Sequence, residues 1–433
     1  MARIKQVVVA ALSVGAAAAL VGCGQPVAGG TARGATAASP SGPVSGESGT
    51  PDPAEQPPPG ANAVAWFGER LFPAVQAATA ETPNPIYSPL SVYLALSMVG
   101  DGAAGATAEE FAAALAADRD QANQAAAALL ADYAQFDGAD GDRPTLKLAD
   151  SVWVDDEITL TDAFKADMID VYQSEPKTVD FGQPDSAEPV NQWVSDQTNG
   201  LIKQILDQQT AFDLMLYLAN AVYFKASWFT PAQPFLTAPA DFAAADGRTV
   251  QADMMTFEHA AGWLALDDGT EGALLNYGDG RFAMLAVMPA GGVEAVDWTG
   301  QTLAGWLEQI ETPDQSGLTV KLPKWEADSE PLDLIPALRA AGLESAFDDR
   351  ADLSGIDGGA HGLFISSVAH RAIIKVDEAG TEAAAATGIA VACAAISGET
   401  RTVLFDRPFA YSIIDTTTGL PIFLGQVGDP TVK

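Results

Sequence analysis

Val376-Asp-Glu-Ala-Gly-Thr-Glu-Ala-Ala-Ala-Ala-Thr387, close to the C-terminus, decides how the rest of the chain is read. The alanines Ala383 to Ala386, between Glu382 and Thr387, would on their own favour a helical turn. The residues after Thr387 argue for a strand: Ile389, Val391 and Cys393 alternate with Ala390, Ala392 and Ala394, a period of two. Carried backwards, that parity puts Thr381, Ala383, Ala385, Thr387, Ile389, Val391 and Cys393 on one face. Glu382, Ala384, Ala386, Gly388 and Ala390 fall on the other. A segment with small residues at one end and a clean alternation can leave solvent and slide into a sheet.

Other stretches extend the pattern in both directions. Asn84-Pro-Ile-Tyr-Ser-Pro-Leu-Ser91, Asn191-Gln-Trp-Val194 with Thr198-Asn-Gly200, and Leu218-Ala-Asn-Ala-Val-Tyr-Phe-Lys225 with Trp228 occur in that order. Phe405-Asp-Arg-Pro-Phe409 and Phe423-Leu-Gly425 close the series. Together with Asp377 to Ala386, which resembles the proximal hinge of inhibitory members nearly residue for residue, these motifs resemble the serpins over about residues 61 to 430.

The resemblance implies an α+β fold, helices packed on large, mostly antiparallel sheets with an exposed reactive-centre loop. It implies a suicide-type inhibitor of extracellular serine proteases, not an enzyme, working as a monomer without a cofactor. The hinge residues by resemblance are Glu378, Gly380, Thr381, Glu382, Ala383, Ala384, Ala385, Ala386 and Thr387. A polar cluster beneath the opening of the large sheet would comprise Ser88, Ser91, Asn220 and His370, with Trp228 at the top where insertion begins. A satisfied core histidine and an ordinary core aromatic are the plainer readings of His370 and Trp228, and the first is compatible with the cluster.

The family's usual distance, counted from Glu378, puts the scissile bond at Ala394-Ala395. The stretch from Glu378 to Pro408 is a few residues longer than is common, so the bond falls between Cys393 and Ile396. Small or apolar side chains there suit elastase-like or subtilisin-like targets; the nearest arginine is Arg401. A papain-like cysteine protease as target, and a non-inhibitory serpin, are the alternatives. Against the second, no proline or bulky residue stands between Thr381 and Thr387, and the one charge, Glu382, has solvent parity.

Composition sets the surroundings. The chain has 433 residues, 48% of them hydrophobic, enough for one large core. Its formal charge is −35, from 57 acids and 22 bases, a field that repels nucleic acid and acidic membrane surfaces and disfavours heparin-like cofactors. Most of that acidity reads as solubility. Arg3 and Lys5 precede an apolar run, Val7 to Leu20, too short for a stable span. It ends in Leu20-Val-Gly-Cys23, which resembles the bacterial lipoprotein box, with Cys23 as lipidation site; a plain secretory signal is the alternative. Residues 1–22 are then a signal peptide, 23–60 a Gly/Pro/Ser/Ala-rich tether with a reach of roughly 35 Å, and 61–433 the serpin-like domain. The membrane is met through the lipid only.

A coarse pass gives helices at 62–80, 89–100, 107–118, 121–135, 161–172, 187–199 and near 331–341, the last ending at Gly342. Strand-like runs cover 147–154, 214–225, 249–257, 273–277, 282–288, 318–323, 363–376 and 403–427. Helices early and strands late argue α+β in one domain, not the paired βαβ lobes of a solute-binding lipoprotein.

A hydrolase would need a nucleophile and a base. Ser174-Glu-Pro-Lys177 fits Ser-x-x-Lys, but Pro176 disrupts the helical turn that would bring lysine to serine. Only His259, His361 and His370 are available for zinc or a triad. Cys393 with His370 reads less well as a thiol and base than as a small apolar side chain on the inserting face.

Overall fold

The computed structural model describes residues 61–138, 143–211, 214–258, 260–312, 317–381 and 401–432. Cys23, the tether, His259, Glu382 to Thr387, Cys393 and the Ala394-Ala395 bond lie outside the described residues.

The chain begins its helical layer with α1 (Ala61–Ala78), α2 (Pro89–Gly100), α3 (Gly105–Leu115) and α4 (Arg119–Tyr133), followed by α5 (Asp162–Asp170) and α6 (Ala187–Gln197). α2 is buried along almost its whole length, so its apolar residues run all round rather than in a stripe. Ser88 caps it, its Oγ accepting from the Ser91 N–H, and Pro89 supplies a first-turn residue that needs no partner. At α4 Asp118 and Gln121 form a reciprocal capping box.

Three sheets lie among the described residues. The largest is ordered β11 (Trp325–Asp328), β13 (Ser367–Val376), β14 (Gly380–Thr381), β4 (Leu216–Ser227), β2 (Thr145–Asp155) and β3 (Lys177–Val179), with β12 (Leu332–Asp333) also on β13. A second runs β1 (Ile86–Tyr87), β17 (Pro421–Val427), β16 (Phe409–Asp415), β9 (Phe282–Met288), β8 (Glu271–Asn276) and β7 (Gly262–Ala265). A third runs β15 (Arg401–Leu404), β10 (Leu318–Pro323), β6 (Thr249–Glu258) and β5 (Ala238–Ala243). Most pairs are antiparallel; β13 on β4, β2 on β3 and β10 on β15 are parallel.

The main core lies between α1, α2 and the sheets, and includes Phe72, Tyr93, Phe224, Tyr277 and Phe423. A smaller core lies between the outer face of the large sheet and α6, built from Trp153, Val190, Val194, Tyr217 and Ala219. β4 is thus covered on both faces, which is why Leu216 to Phe224 reads as a continuous run rather than an alternation. Among the described residues no helix is long and apolar enough to cross a membrane.

Candidate functional site: the seam between β13 and β4

Two strands distant in sequence meet along this seam. In its lower half they pair in parallel, Ser367 opposite Tyr217 through to Ala372 opposite Val222. Higher up they part, and β14 stands between them: Thr381 pairs with Val376 on one side and Ala226 on the other, and Gly380 pairs with Ser227.

The chain reaches that position through a tight reversal. The Asp377 N–H donates to the Gly380 carbonyl (3.0 Å), and Asp377 Oδ1 accepts from the N–H groups of Ala379 (2.8 Å) and Gly380 (3.3 Å). Trp228 closes the turn from above: its N–H donates to Ala379 O and its Nε1 to Asp377 O, both at 2.9 Å. Its ring stacks on Tyr277 with centroids 4.2 Å apart. Glu378 pairs with Lys324 (2.7 Å) and accepts from Thr237 Oγ1 (2.8 Å). Partial burial pushes the Glu378 carboxyl up, but Lys324 and the other donors outweigh it and the net shift is downward.

Gly380 is required by close approach, not by backbone twist. A Cβ there would lie 2.1 Å from the Ala226 carbonyl oxygen and 2.8 Å from Ser227 Cα. Thr381 is buried, its hydroxyl 2.6 Å from that of Tyr277.

Beneath the junction the structure brings Ser88, Ser91, Asn220 and His370 together, all fully buried. The Ser88 N–H donates to His370 Nε2 (3.1 Å), so that nitrogen is the acceptor and Nδ1 carries the proton to Asn220 Oδ1. Asn220 Nδ2 donates to Ser91 Oγ at 2.6 Å, and Ser88 Oγ donates to Ile422 O at 2.7 Å. Burial pushes the imidazole down to about 3, so the ring is neutral across the physiological range.

Asp150 on β2 completes the network, and no motif points to it. Its Oδ1 accepts from Ser91 Oγ (2.8 Å) and from Asn220 Nδ2, while Oδ2 has no hydrogen-bond partner among the described residues. Burial pushes this carboxyl up to about 8, with the bonds from Ser91 and Asn220 acting the other way. One signal for it exists in the sequence: Leu146, Leu148 and Val152 share its strand parity, and all belong to or border the main core.

Ser174 and Lys177 form no helical turn. Ser174 Oγ donates to Asp150 O at 3.1 Å, and Lys177 opens β3. Elsewhere Asp155, Asp156 and Asp180 gather carboxylate oxygens within 4.8 Å of one another on a partly exposed surface.

Comparison with known proteins gives the same frame. The family model described as serpin (serine protease inhibitor) matches residues 62–430. A serine protease inhibitor of Cyanea capillata is 31% identical over 378 residues, spanning 85% of this chain and 96% of its own. Serpin-Z7 of Hordeum vulgare is 32% identical over 381 residues, spanning 85% and 95%. Among solved structures, the thermophilic serpin tengpin in its native state superposes with a TM-score of 0.74 at 25% identity, over 85% of this chain and 94% of its own. With a family model matching from near the start of the described chain almost to its end, and relatives more than 30% identical along the same length, this chain belongs to the serpin family of serine protease inhibitors.

Proposed function

We propose that this serpin traps extracellular elastase-like or subtilisin-like serine proteases by inserting its own loop into the large sheet. The observation that carries the reading is β14: Gly380 and Thr381 already stand as the first rungs of a strand between β13 and β4. The protease serine attacks the carbonyl of Ala394, and the bond to Ala395 breaks to leave an acyl-enzyme. The freed segment from Thr381 onward then enters the sheet.

An entering strand that kept the register of β14 would bring Thr387 between His370 and Asn220, which face each other in the closed seam. Its hydroxyl would replace the bond they now share, so the seam exchanges hydrogen bonds as it parts instead of breaking an apolar contact. About a dozen new residues at roughly 1 kcal/mol per backbone hydrogen bond supply on the order of 10 kcal/mol. Burying Ile389 and Val391 adds about 2 kcal/mol each. Ala383 to Ala386 offer little to slow the first steps.

Mixing with pancreatic elastase tests the reading. The expected result is an SDS-stable band of higher mass and, after limited proteolysis at residues 393–396, a large upward shift of the thermal midpoint. Cleavage with no such band and an unchanged midpoint would assign the chain to the non-inhibitory serpins.

The same protein is carried, in this proposal, on a lipid at Cys23 with residues 23–60 as its tether. Cys23→Ser should release it from the membrane fraction into the medium; equal retention of parent and variant contradicts the anchor.

A further inference from the structure

We infer that Phe229, Phe235, Leu236 and Leu404 form an apolar rim that grips the body of the target protease while the loop occupies its cleft. The inference rests on the trapping reading above for its occupant, and on independent geometry for its place. Among the described residues the exposed large hydrophobic side chains are Ile169, Phe229, Phe235, Leu236, Leu404 and Val432. Four of these six stand near Glu378 or Arg401, close to the described residues on either side of 382–400.

The segment from Trp228 to Thr237 is tied to the root of the loop along its length. Trp228 binds the carbonyls of Asp377 and Ala379, the Ala232 N–H donates to Glu378 O at 3.0 Å, and Thr237 Oγ1 donates to the Glu378 carboxylate. Phe229, itself fixed by a bond from its N–H to Asn276 O (2.8 Å), is 63% exposed, and Phe235 is 80% exposed. On the returning side, Leu404 lies on β15 opposite Lys321 of β10, three residues before the Lys324 that holds Glu378. The rim therefore flanks both ends of the segment that meets the enzyme.

These rings stand on backbone already pinned, so contact through them costs little ordering, which is what makes an exposed aromatic an effective anchor. Most of the surface of each ring is left in water where it stands, and exposed apolar surface otherwise favours self-association. The occupant follows from the length of chain. Ala395 precedes Arg401 by six residues, a stretch that spans at most about 20 Å. A protease domain of roughly 200 residues has a radius of gyration near 16 Å, so an enzyme seated on that bond lies over the surface around the loop's ends.

The test is the double variant Phe229→Ser, Phe235→Ser, assayed for association with pancreatic elastase and with subtilisin. Association should slow about tenfold or more, with the stoichiometry of inhibition and the thermal midpoint unchanged. Association within twofold of the parent for both enzymes overturns the rim. If the parent is cleaved without being trapped, kcat/KM for loop cleavage reads the same contact. A tenfold loss there keeps the rim and sinks only the trapping reading; no loss sinks the rim. A parent that sediments as a dimer, and a variant as a monomer, would assign the rings to a self-interface and overturn the proposal. So would a parent that neither enzyme cuts.

Discussion

The two halves of one seam are built on different principles. Below, β13 and β4 are joined by six residue pairs of continuous parallel ladder, with the hydrogen-bonded cluster of His370, Asn220, Ser88, Ser91 and Asp150 beneath them. Above, the same strands are held apart by two residues and a turn clamped by Trp228, Lys324 and Thr237. The lower half is closed by the sheet itself; the upper half is closed by a wedge. A strand added to this sheet as proposed has a built starting point at one end only, and the polar groups that would have to let go lie in its path.

The largest effect should come from poisoning the wedge. Thr381→Arg would place a charge in the buried site beside Tyr277 that Thr381 already occupies, at a cost of several kcal/mol whenever β14 is seated between β13 and β4. Complex formation should disappear while loop cleavage persists, as read by gel densitometry. Trapping at the parent's stoichiometry would mean that the upper half is not where insertion begins.

Gly380→Val asks whether the wedge also supports the resting fold. Its Cβ has no room against the Ala226 carbonyl, so β14 must leave the seam or push β4 aside. A loss of about 1–3 kcal/mol by chemical denaturation is expected, with more substrate-like turnover per protease trapped. An unchanged denaturation midpoint would show that β14 contributes nothing before cleavage.

The smallest effect probes the lower half by pH. Asp150 is raised from 3.8 to about 8, so the native state holds a proton that the unfolded chain releases; its stabilising effect is full below about pH 4 and declines as pH rises to 8. His370 is lowered from 6.5 to about 3, so the native state excludes a proton; its effect is full above pH 6.5 and declines as pH falls. Between pH 4 and 6.5 the two slopes oppose, each at roughly 1 kcal/mol per pH unit. Asp150→Asn removes one of them. Unfolding followed from pH 4 to 8 should show the variant losing stability more steeply below pH 6 and less steeply above it. Parallel curves for parent and variant would place the Asp150 proton elsewhere.

Much of this architecture is legible in the amino-acid order alone. The long helices fall within a few residues of where periodicity puts them, because each has an apolar face or, for α2, an apolar surface all round. Strands with an exposed or irregular face are harder to read. β5 carries mostly exposed residues and a proline, and β7, β11 and β3 are too short for alternation to register. The single run at 403–427 resolves into β15, β16 and β17, divided around Pro408 and the turn at Gly419. The helix expected over 331–341 begins only at Ile335, since Leu332 and Asp333 pair with β13; Gly342 does follow its end, at φ +96°. Asp150 escapes notice because an acid in a strand reads as surface, and only its neighbours' parity says otherwise. The seam itself cannot be read from either strand alone: it needs β13 beside β4, a pairing 150 residues apart.

The reversal at Glu378-Ala379 has a kinetic consequence. Forming a strand between two others ordinarily requires a search over registers, with a loop-closure cost for each distant contact. Here the register is set by a two-residue turn before any bond is cut, and every later pair with β13 forms next to one already made. For a loop that inserts as proposed, the process resembles the growth of a hairpin rather than the assembly of a sheet. Its rate is then set by how quickly β13 and β4 come apart, and a protease held on an acyl bond races that separation alone.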